Sequence, residues 1–140
     1  MNTRVRAAVL AGTIAVAATS CGGSGSGGAA AGDVVVTMKD YSLDATPGTF
    51  GAGRITFGIQ NDGPSAHEFV IIRSDDEPAT LPVENGLIPE DQVSLVDEAE
   101  DIPPGTATSL TVTLDPGSYV LVCNLPSHYT AGMHAAFTVV

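Results

Sequence analysis

Residues 119–140 read YVLVCNLPSHYTAGMHAAFTVV, and this stretch decides the fold of the chain. An apolar run leads up to Cys123, a run with β-branched residues follows Met133, and His128 lies midway between them. Two such runs joined by a short connection predict a pair of neighbouring β-strands. The connection then carries a thiol, an imidazole and a thioether, a soft set of ligands that favours copper over zinc, iron or magnesium.

A second imidazole is available from His67, which opens an apolar run after a turn sequence at residues 61–64. Two His, one Cys and a weakly bound axial Met form the ligand set of blue-copper electron-transfer sites as a class. Each residue has an ordinary alternative. If it binds no metal, His67 is an ordinary histidine at the edge of a strand. In the same case Cys123 is an inert buried thiol. His128 would be a surface loop residue and Met133 part of the core, but the four residues together favour a metal site.

The order of these residues, with one His far upstream and Cys, His and Met on the last loop, resembles the cupredoxin family of blue (type 1) copper proteins. The resemblance covers residues 33–140. Among plastocyanin-like members, the spacing within the loop is most similar to that of rusticyanin and sulfocyanin. The resemblance implies an all-β, antiparallel Greek-key β-sandwich that binds one Cu(I)/Cu(II) ion. The ligands that it implies are His67, Cys123, His128 and Met133.

The residue after the upstream His departs from the family pattern. Many cupredoxins have Asn there, whereas this chain has Glu68. A backbone N–H near Glu68 is expected to donate a hydrogen bond to the Cys123 sulfur and so to tune the reduction potential. His134, next to Met133 in a strand, is expected to point the other way and lie at the surface, with an accessory metal role as the alternative.

Further runs show the alternation of half-buried strands. In residues 54–60, Ile55, Phe57 and Ile59 would share one face of a strand and polar residues the other. About seven or eight short strands between turn signals predict an antiparallel β-sandwich. The clearest predicted strands lie at residues 34–38, 54–60, 67–73, 109–114 and 119–124.

Residues 74–106 are the least strand-like part of the chain, with five prolines and most of the acidic residues. A short helix is predicted near residues 89–95, because Glu90 and Asp91 would lie in its first turn behind Pro89. The segment resembles the variable excursion that cupredoxins insert between their two halves. The alternative is a solvated connector without chemistry.

The start of the chain has the features of an export signal. A charged opening precedes a short apolar run, which is too short for a permanent transmembrane helix. Residues 18–21, Ala-Thr-Ser-Cys, resemble the lipobox of bacterial lipoproteins, in which the Cys becomes the lipidated first residue. The predicted parts are a signal peptide at residues 1–20, lipidated Cys21 and a flexible Gly/Ser/Ala tether at residues 21–32, and a copper domain at residues 33–140.

Two alternatives remain for Cys21. In the first, Cys21 is a cysteine without a function near an ordinary signal-peptide cleavage site. In the second, it forms a disulfide with Cys123. The disulfide is disfavoured because the tether has no means of holding Cys21 near the domain. Lipidation predicts an exported chain that is anchored to the outer face of the cytoplasmic membrane, in the cell envelope or periplasm.

The charge of the chain restricts its partners. Removal of residues 1–20 leaves Lys39, Arg54 and Arg73 against sixteen acidic residues, a formal charge of −13 with His neutral. A chain of this charge is not expected to bind nucleic acid or anionic lipid surfaces, and it favours protein partners with basic patches. Solubility is the alternative reason for the charge. The residues expected to form a contact patch around His128 are Leu125, Pro126, Tyr129 and Ala131.

The sequence therefore predicts a monomeric one-electron carrier that works between redox partner proteins through a mononuclear copper. The alternative is a copper storage, delivery or resistance protein that uses the same ligands. A structural or adhesive sandwich, the third possibility, would bind no copper. Because no Ser/His/Asp arrangement, phosphate loop or paired acid–base carboxylates stand out, an enzyme is not expected.

Overall fold

The computed structural model describes residues 30–140, which form two β-sheets packed face to face. The predicted signal peptide, the predicted lipidation at Cys21 and most of the predicted tether lie outside the described residues. Within the described range, no helix is long and apolar enough to cross a membrane. The strands are β1 (Val34–Lys39), β2 (Ser42–Thr46), β3 (Thr49–Phe50), β4 (Gly53–Asn61), β5 (His67–Arg73), β6 (Ser94–Ile102), β7 (Ala107–Leu114), β8 (Gly117–Val122) and β9 (His134–Val139).

The two sheets have the strand orders β2-β1-β4-β7 and β3-β9-β8-β5-β6. Most neighbouring strands are antiparallel, but the pairs β1–β4 and β3–β9 are parallel. After β1 the chain turns back and pairs with it as β2. It then crosses to the second sheet as β3 and returns to the first sheet as β4, which runs parallel to β1. The prediction of an all-β sandwich is confirmed, and its sheets are mixed instead of purely antiparallel.

The main core lies between the sheets. In β4, Ile55, Phe57 and Ile59 are fully buried, as their alternation with polar residues predicts. Phe57 packs against Phe69 of β5 and Phe137 of β9, with ring centroids 5.5 and 5.3 Å apart. Aromatic side chains from both sheets therefore hold the two layers together at one level of the sandwich.

Strands β5 and β8 are buried on both faces, and their continuous apolar runs are typical of such strands. One face of each strand joins the main core. The other face packs in a second apolar cluster, formed by Val70, Ile72, Leu81, Ile88, Val120, Val122 and Tyr129. Because Leu81 and Ile88 come from the segment after β5, that segment covers the outer face of the five-stranded sheet.

The segment after β5 differs from its prediction in two ways. The helix expected near residues 89–95 is only a 3₁₀ turn, Glu90–Gln92, because Val93 is extended and the chain enters β6 at once. The alternative of a solvated connector is also wrong, since Leu81 and Ile88 are 5% and 2% exposed. Isolated apolar residues between prolines have no periodicity from which their burial could be read.

Candidate metal centre

Three potential metal-binding atoms meet at one end of the sandwich. The Nδ1 atoms of His67 and His128 are 3.3 Å apart. The Cys123 sulfur lies 3.9 Å from the Nδ1 atom of His67 and 3.4 Å from that of His128. Although 61 positions of sequence separate the two histidines, the fold brings three of the four residues that the sequence singled out into one cluster.

Strand ends position these side chains. His67 is the first residue of β5, and Cys123 directly follows β8. Strands β8 and β9 pair as far as Val122 and His134, and the Cys123 N–H extends this ladder by donating to the Met133 carbonyl at 3.0 Å. Met133, the fourth predicted ligand, is thereby held next to Cys123 along the ladder, and both residues are fully buried in the main core.

The loop that carries His128 is held by its own backbone. The His128 N–H donates to the Leu125 carbonyl at 3.0 Å, and the His128 carbonyl accepts from the Met133 N–H at 3.1 Å. Ser127 and Gly132 have φ values of 68° and 118°, which permit tight turns on both sides of His128. His128 is therefore fixed although it lies outside any strand.

Two side chains of the same loop fasten the segment after β5 to the site. The Tyr129 hydroxyl donates to the Pro78 carbonyl at 2.7 Å and accepts from the Leu81 N–H at 2.9 Å. The Asn124 amide accepts from the Ile88 N–H at 2.8 Å and donates to the Ile88 carbonyl at 3.1 Å. The prediction of Tyr129 in an exposed contact patch is wrong, because these hydrogen bonds and the second cluster bury it to 3% exposure.

Burial favours the neutral forms of Cys123 and His67. Burial raises the pKa of the Cys123 thiol, and backbone N–H groups, that of Glu68 first, partly oppose the rise. Burial also lowers the pKa of His67, the charge of His128 lowers it further, and Asp40 acts in the opposite direction. A neutral imidazole is the form that binds a metal ion, and a buried thiol releases its proton when a metal ion binds to it.

Glu68 contributes its backbone to the centre and its side chain to an acidic cluster. Its N–H donates to the Cys123 sulfur at 3.4 Å, the contact that the sequence predicted. Its carboxylate has Glu98 and Glu100 as neighbours, with oxygens of the three residues within 4.8 Å of one another. Burial first, and then repulsion from Glu98 and other acidic residues, raises the pKa of Glu68 to about 7. The replacement of a neutral amide by Glu68 therefore adds acidity beside the donor atoms.

His128 is the partly exposed member of the centre. Tyr41, which is 57% exposed, packs edge-on against the His128 ring with the centroids 5.9 Å apart. Of the predicted contact patch, Pro126 and Ala131 are exposed and Leu125 is partly exposed. Sequence patterns do not predict this role of Tyr41, because it lies in the turn between β1 and β2 and meets His128 only in the folded structure.

His134 lies at the start of β9 and is partly buried. Its ring centroid is 5.3 Å from that of Tyr129, with the rings tilted. It belongs to no cluster of three or more possible metal ligands among residues 30–140. His134 therefore packs against the second cluster instead of standing free at the surface.

The residues of this centre fit a copper ion. A Cys sulfur and two imidazole nitrogens form a soft set, and buried Met133 lies next to Cys123 in the ladder. The separations of 3.3, 3.4 and 3.9 Å suit atoms that share one ion at bonds of about 2.0 to 2.3 Å, the range for these ligand types on zinc. Full burial of His67, Cys123 and Met133 keeps water away from these three side chains, and His128 alone of the four is partly exposed.

Comparison with known proteins supports the same chemistry. A family model described as copper binding proteins, plastocyanin/azurin family, matches residues 51–140. The iron uptake system component EfeO of Escherichia coli strain K12 is 30% identical over 92 residues, which is 66% of this chain and 20% of EfeO. The chain thus spans about a fifth of the length of the curated relatives that it matches.

Solved structures of other proteins share the fold. Reduced auracyanin from Roseiflexus castenholzii has a TM-score of 0.58 and 23% identity, over 76% of this chain and 94% of auracyanin. Rusticyanin from Thiobacillus ferrooxidans has a TM-score of 0.56 and 22% identity, over 76% of this chain and 75% of rusticyanin. At such identities the likeness shows the fold alone.

Proposed function

The chain belongs to the plastocyanin/azurin family of copper-binding proteins, and on this basis we propose that it carries single electrons between redox partner proteins. The proposal is supported above all by the convergence of two imidazole nitrogens and a thiol sulfur within 4.8 Å of one another. Copper supplies the one-electron change between Cu(II) and Cu(I). The proposed ligands are His67, Cys123, His128 and Met133.

We expect the ligand side chains to keep one arrangement in both oxidation states of the copper. His67 and Cys123 are fixed by strands, and His128 is fixed by the turns around it. Ligand atoms that are held in this way move little when the charge of the site changes, which keeps the reorganisation low. The hydrogen bond from the Glu68 N–H to the Cys123 sulfur stabilises negative charge on the thiolate and so tunes the potential.

The exposed edge of His128 is the proposed exit for the electron. The other three proposed ligands are 0% exposed. Near His128 the exposed residues Tyr41, Pro126 and Ala131 carry no charge, which favours close approach of a partner. The acidity of the chain favours redox partners with basic patches, which it would meet as a monomer.

Copper storage, delivery or resistance is the second candidate function. The similarity to a component of an iron uptake system favours it, since the shared region would then serve metal handling. The shared region is 20% of EfeO, so the similarity supports a role in metal handling and does not extend to the activity of the whole EfeO protein. Both candidate functions use the same ligands, and they differ in whether the copper stays in the site.

Electron self-exchange, measured beside copper release, separates the two functions. We expect electrons to pass between Cu(I) and Cu(II) forms of the protein many times before one copper reaches a competing chelator. The reason is that buried ligands retain the ion while His128 remains accessible. Line broadening in NMR spectra of mixed oxidation states measures the first rate, and the absorbance of the chelator complex measures the second. Copper release faster than electron exchange would contradict the carrier and support delivery.

Met133→Leu is expected to leave the thiolate colour in place and to raise the reduction potential. A thioether is a weak axial ligand, so three ligands hold the ion without it, and loss of its electron donation disfavours Cu(II) more than Cu(I). Leu is close to Met in volume, which keeps the packing cost under about 1.5 kcal/mol. Voltammetry is the measurement, because a tenfold change in relative affinity appears as about 59 mV.

Met38→Leu is the matched control for Met133→Leu. Met38 is also 0% exposed and lies in the same core, but it is not a proposed ligand. Its replacement should leave the reduction potential where it is. If Met133→Leu shifts the potential no further than Met38→Leu does, Met133 belongs only to the core.

We further propose that a lipid on Cys21 anchors the exported chain to the outer face of the cytoplasmic membrane, with residues 22–29 as a tether. The tether expected at residues 21–32 ends earlier, because Ala30 is buried and residues 30–32 pack against Gly58 of β4. The support is the lipobox-like sequence at residues 18–21 and the Gly/Ser/Ala composition that follows it. Cys21→Ala should move the protein from the membrane fraction to the soluble fraction, because one lipidated residue is the proposed anchor. Ser24→Ala in the tether is the control. Membrane retention of the Cys21→Ala protein would rule the lipid anchor out.

A further inference from the structure

The turn between β1 and β2 places a carboxylate against the buried edge of His67. Asp40 is the first residue of this turn, and its Oδ1 atom lies 3.2 Å from the His67 Nε2 atom. The His67 side chain is 0% exposed and that of Asp40 is 27% exposed. Neither atom makes a hydrogen bond within the described residues. The two atoms are within hydrogen-bond distance, but the ring N–H does not point directly enough at the oxygen to form a hydrogen bond.

The surroundings of this pair leave room for the carboxylate and little else. A Cβ atom on Gly63 would lie 2.8 Å from Asp40 Oδ1 and 3.0 Å from His67 Nε2, so a side chain at this position would displace the pair. Ser65 donates its hydroxyl to the other oxygen of Asp40 at 2.8 Å. Buried Asn61 shapes this loop by accepting from the Gly63 N–H and donating to the Ser65 carbonyl. Asp40 is therefore held beside the imidazole by its hydrogen bond with Ser65, in a loop that Asn61 shapes.

The position of the His67 proton follows from the geometry of the donor atoms. Its Nδ1 atom faces the Nδ1 atom of His128 at 3.3 Å and the Cys123 sulfur at 3.9 Å. If Nδ1 binds the metal, the single N–H of a neutral imidazole is on Nε2. A buried N–H needs an acceptor, and the facing atom is Asp40 Oδ1. A rotation of the ring that turns this N–H towards Asp40 Oδ1 would complete the hydrogen bond.

We propose that Asp40 is a positioning residue for His67. The Asp40 carboxylate accepts the Nε2–H of His67, which aims Nδ1 at the copper, and its charge favours Cu(II) over Cu(I). This proposal rests on the proposed copper site. It adds a residue that acts on the reduction potential of the copper through the far nitrogen of His67. A carboxylate on the far nitrogen of a metal-bound imidazole orients the ring and raises its basicity. A negative charge so close also favours the more positive ion. Asp40 therefore lowers the reduction potential.

Asp40→Asn tests the proposal, because the amide keeps the size and an acceptor oxygen but loses the charge. The copper-loaded variant should keep the thiolate band. Its relative affinity for Cu(II) over Cu(I) should fall about tenfold, at the low end of what loss of such a partner costs in metal affinity. Voltammetry would then record a rise of about 59 mV. Asp40→Ala, which loses charge and acceptor together, should shift the potential at least as far.

Asp62→Asn is the matched control for charge. Asp62 is exposed in the neighbouring loop, and its replacement removes the same charge without touching His67. The potential of this variant should rise much less than that of Asp40→Asn. Equal shifts in the two variants would overturn the proposal, because the charge of Asp40 would then act only through the general field of the protein.

A second measurement separates positioning from charge. In the diamagnetic Cu(I) protein, NMR should show a His67 Nε2–H that exchanges slowly with water in the parent and in Asp40→Asn, and quickly in Asp40→Ala. Fast exchange in the parent would overturn the proposed hydrogen bond. A parent protein without a thiolate band would overturn the copper site and this proposal together, whereas a normal band with an unchanged potential in Asp40→Asn would overturn the role of Asp40 alone.

Discussion

Three donor atoms that face one another inside the sandwich are the constraint on which the rest of the structure depends. The nitrogens of His67 and His128 and the sulfur of Cys123 lie within 4.8 Å of one another. These side chains keep their positions because the structure around them holds each one. The aromatic contacts of Phe57 hold the two sheets together, and the ladder between β8 and β9 holds Cys123.

Elements that contribute no proposed ligand also act on the site. The segment after β5 is fastened to the ligand loop through the side chains of Asn124 and Tyr129, so the outer apolar cluster and the loop support each other. The two-residue turn between β1 and β2 touches both imidazoles, Asp40 at His67 and Tyr41 at His128. The second coordination layer is therefore built from parts of the chain that are distant in sequence from the ligand loop.

The contrast between the ligand loop and the distant segments that support it explains what the sequence could predict. Local spacing was enough for the strands around Cys123 and for copper as the cofactor, which the family match confirms. Alternation was enough for the buried face of β4. The sequence does not predict positions that depend on tertiary packing. Leu81 and Ile88 have no periodicity, and nothing local connects Asp40 with His67. Tyr129 is expected at the surface because the hydrogen bonds that bury it join segments remote in sequence.

The most direct test of the proposed site is the visible absorption spectrum of the protein loaded with Cu(II), recorded beside that of Cys123→Ser. A thiolate bonded to Cu(II) gives an intense visible band, and a serine hydroxyl, a hard and poor copper ligand of similar size, cannot replace it. The structure leads us to expect an intense band in the parent and none in the variant, with both proteins folded. A parent without the band, or a variant that keeps it, would show that Cys123 does not bind the copper.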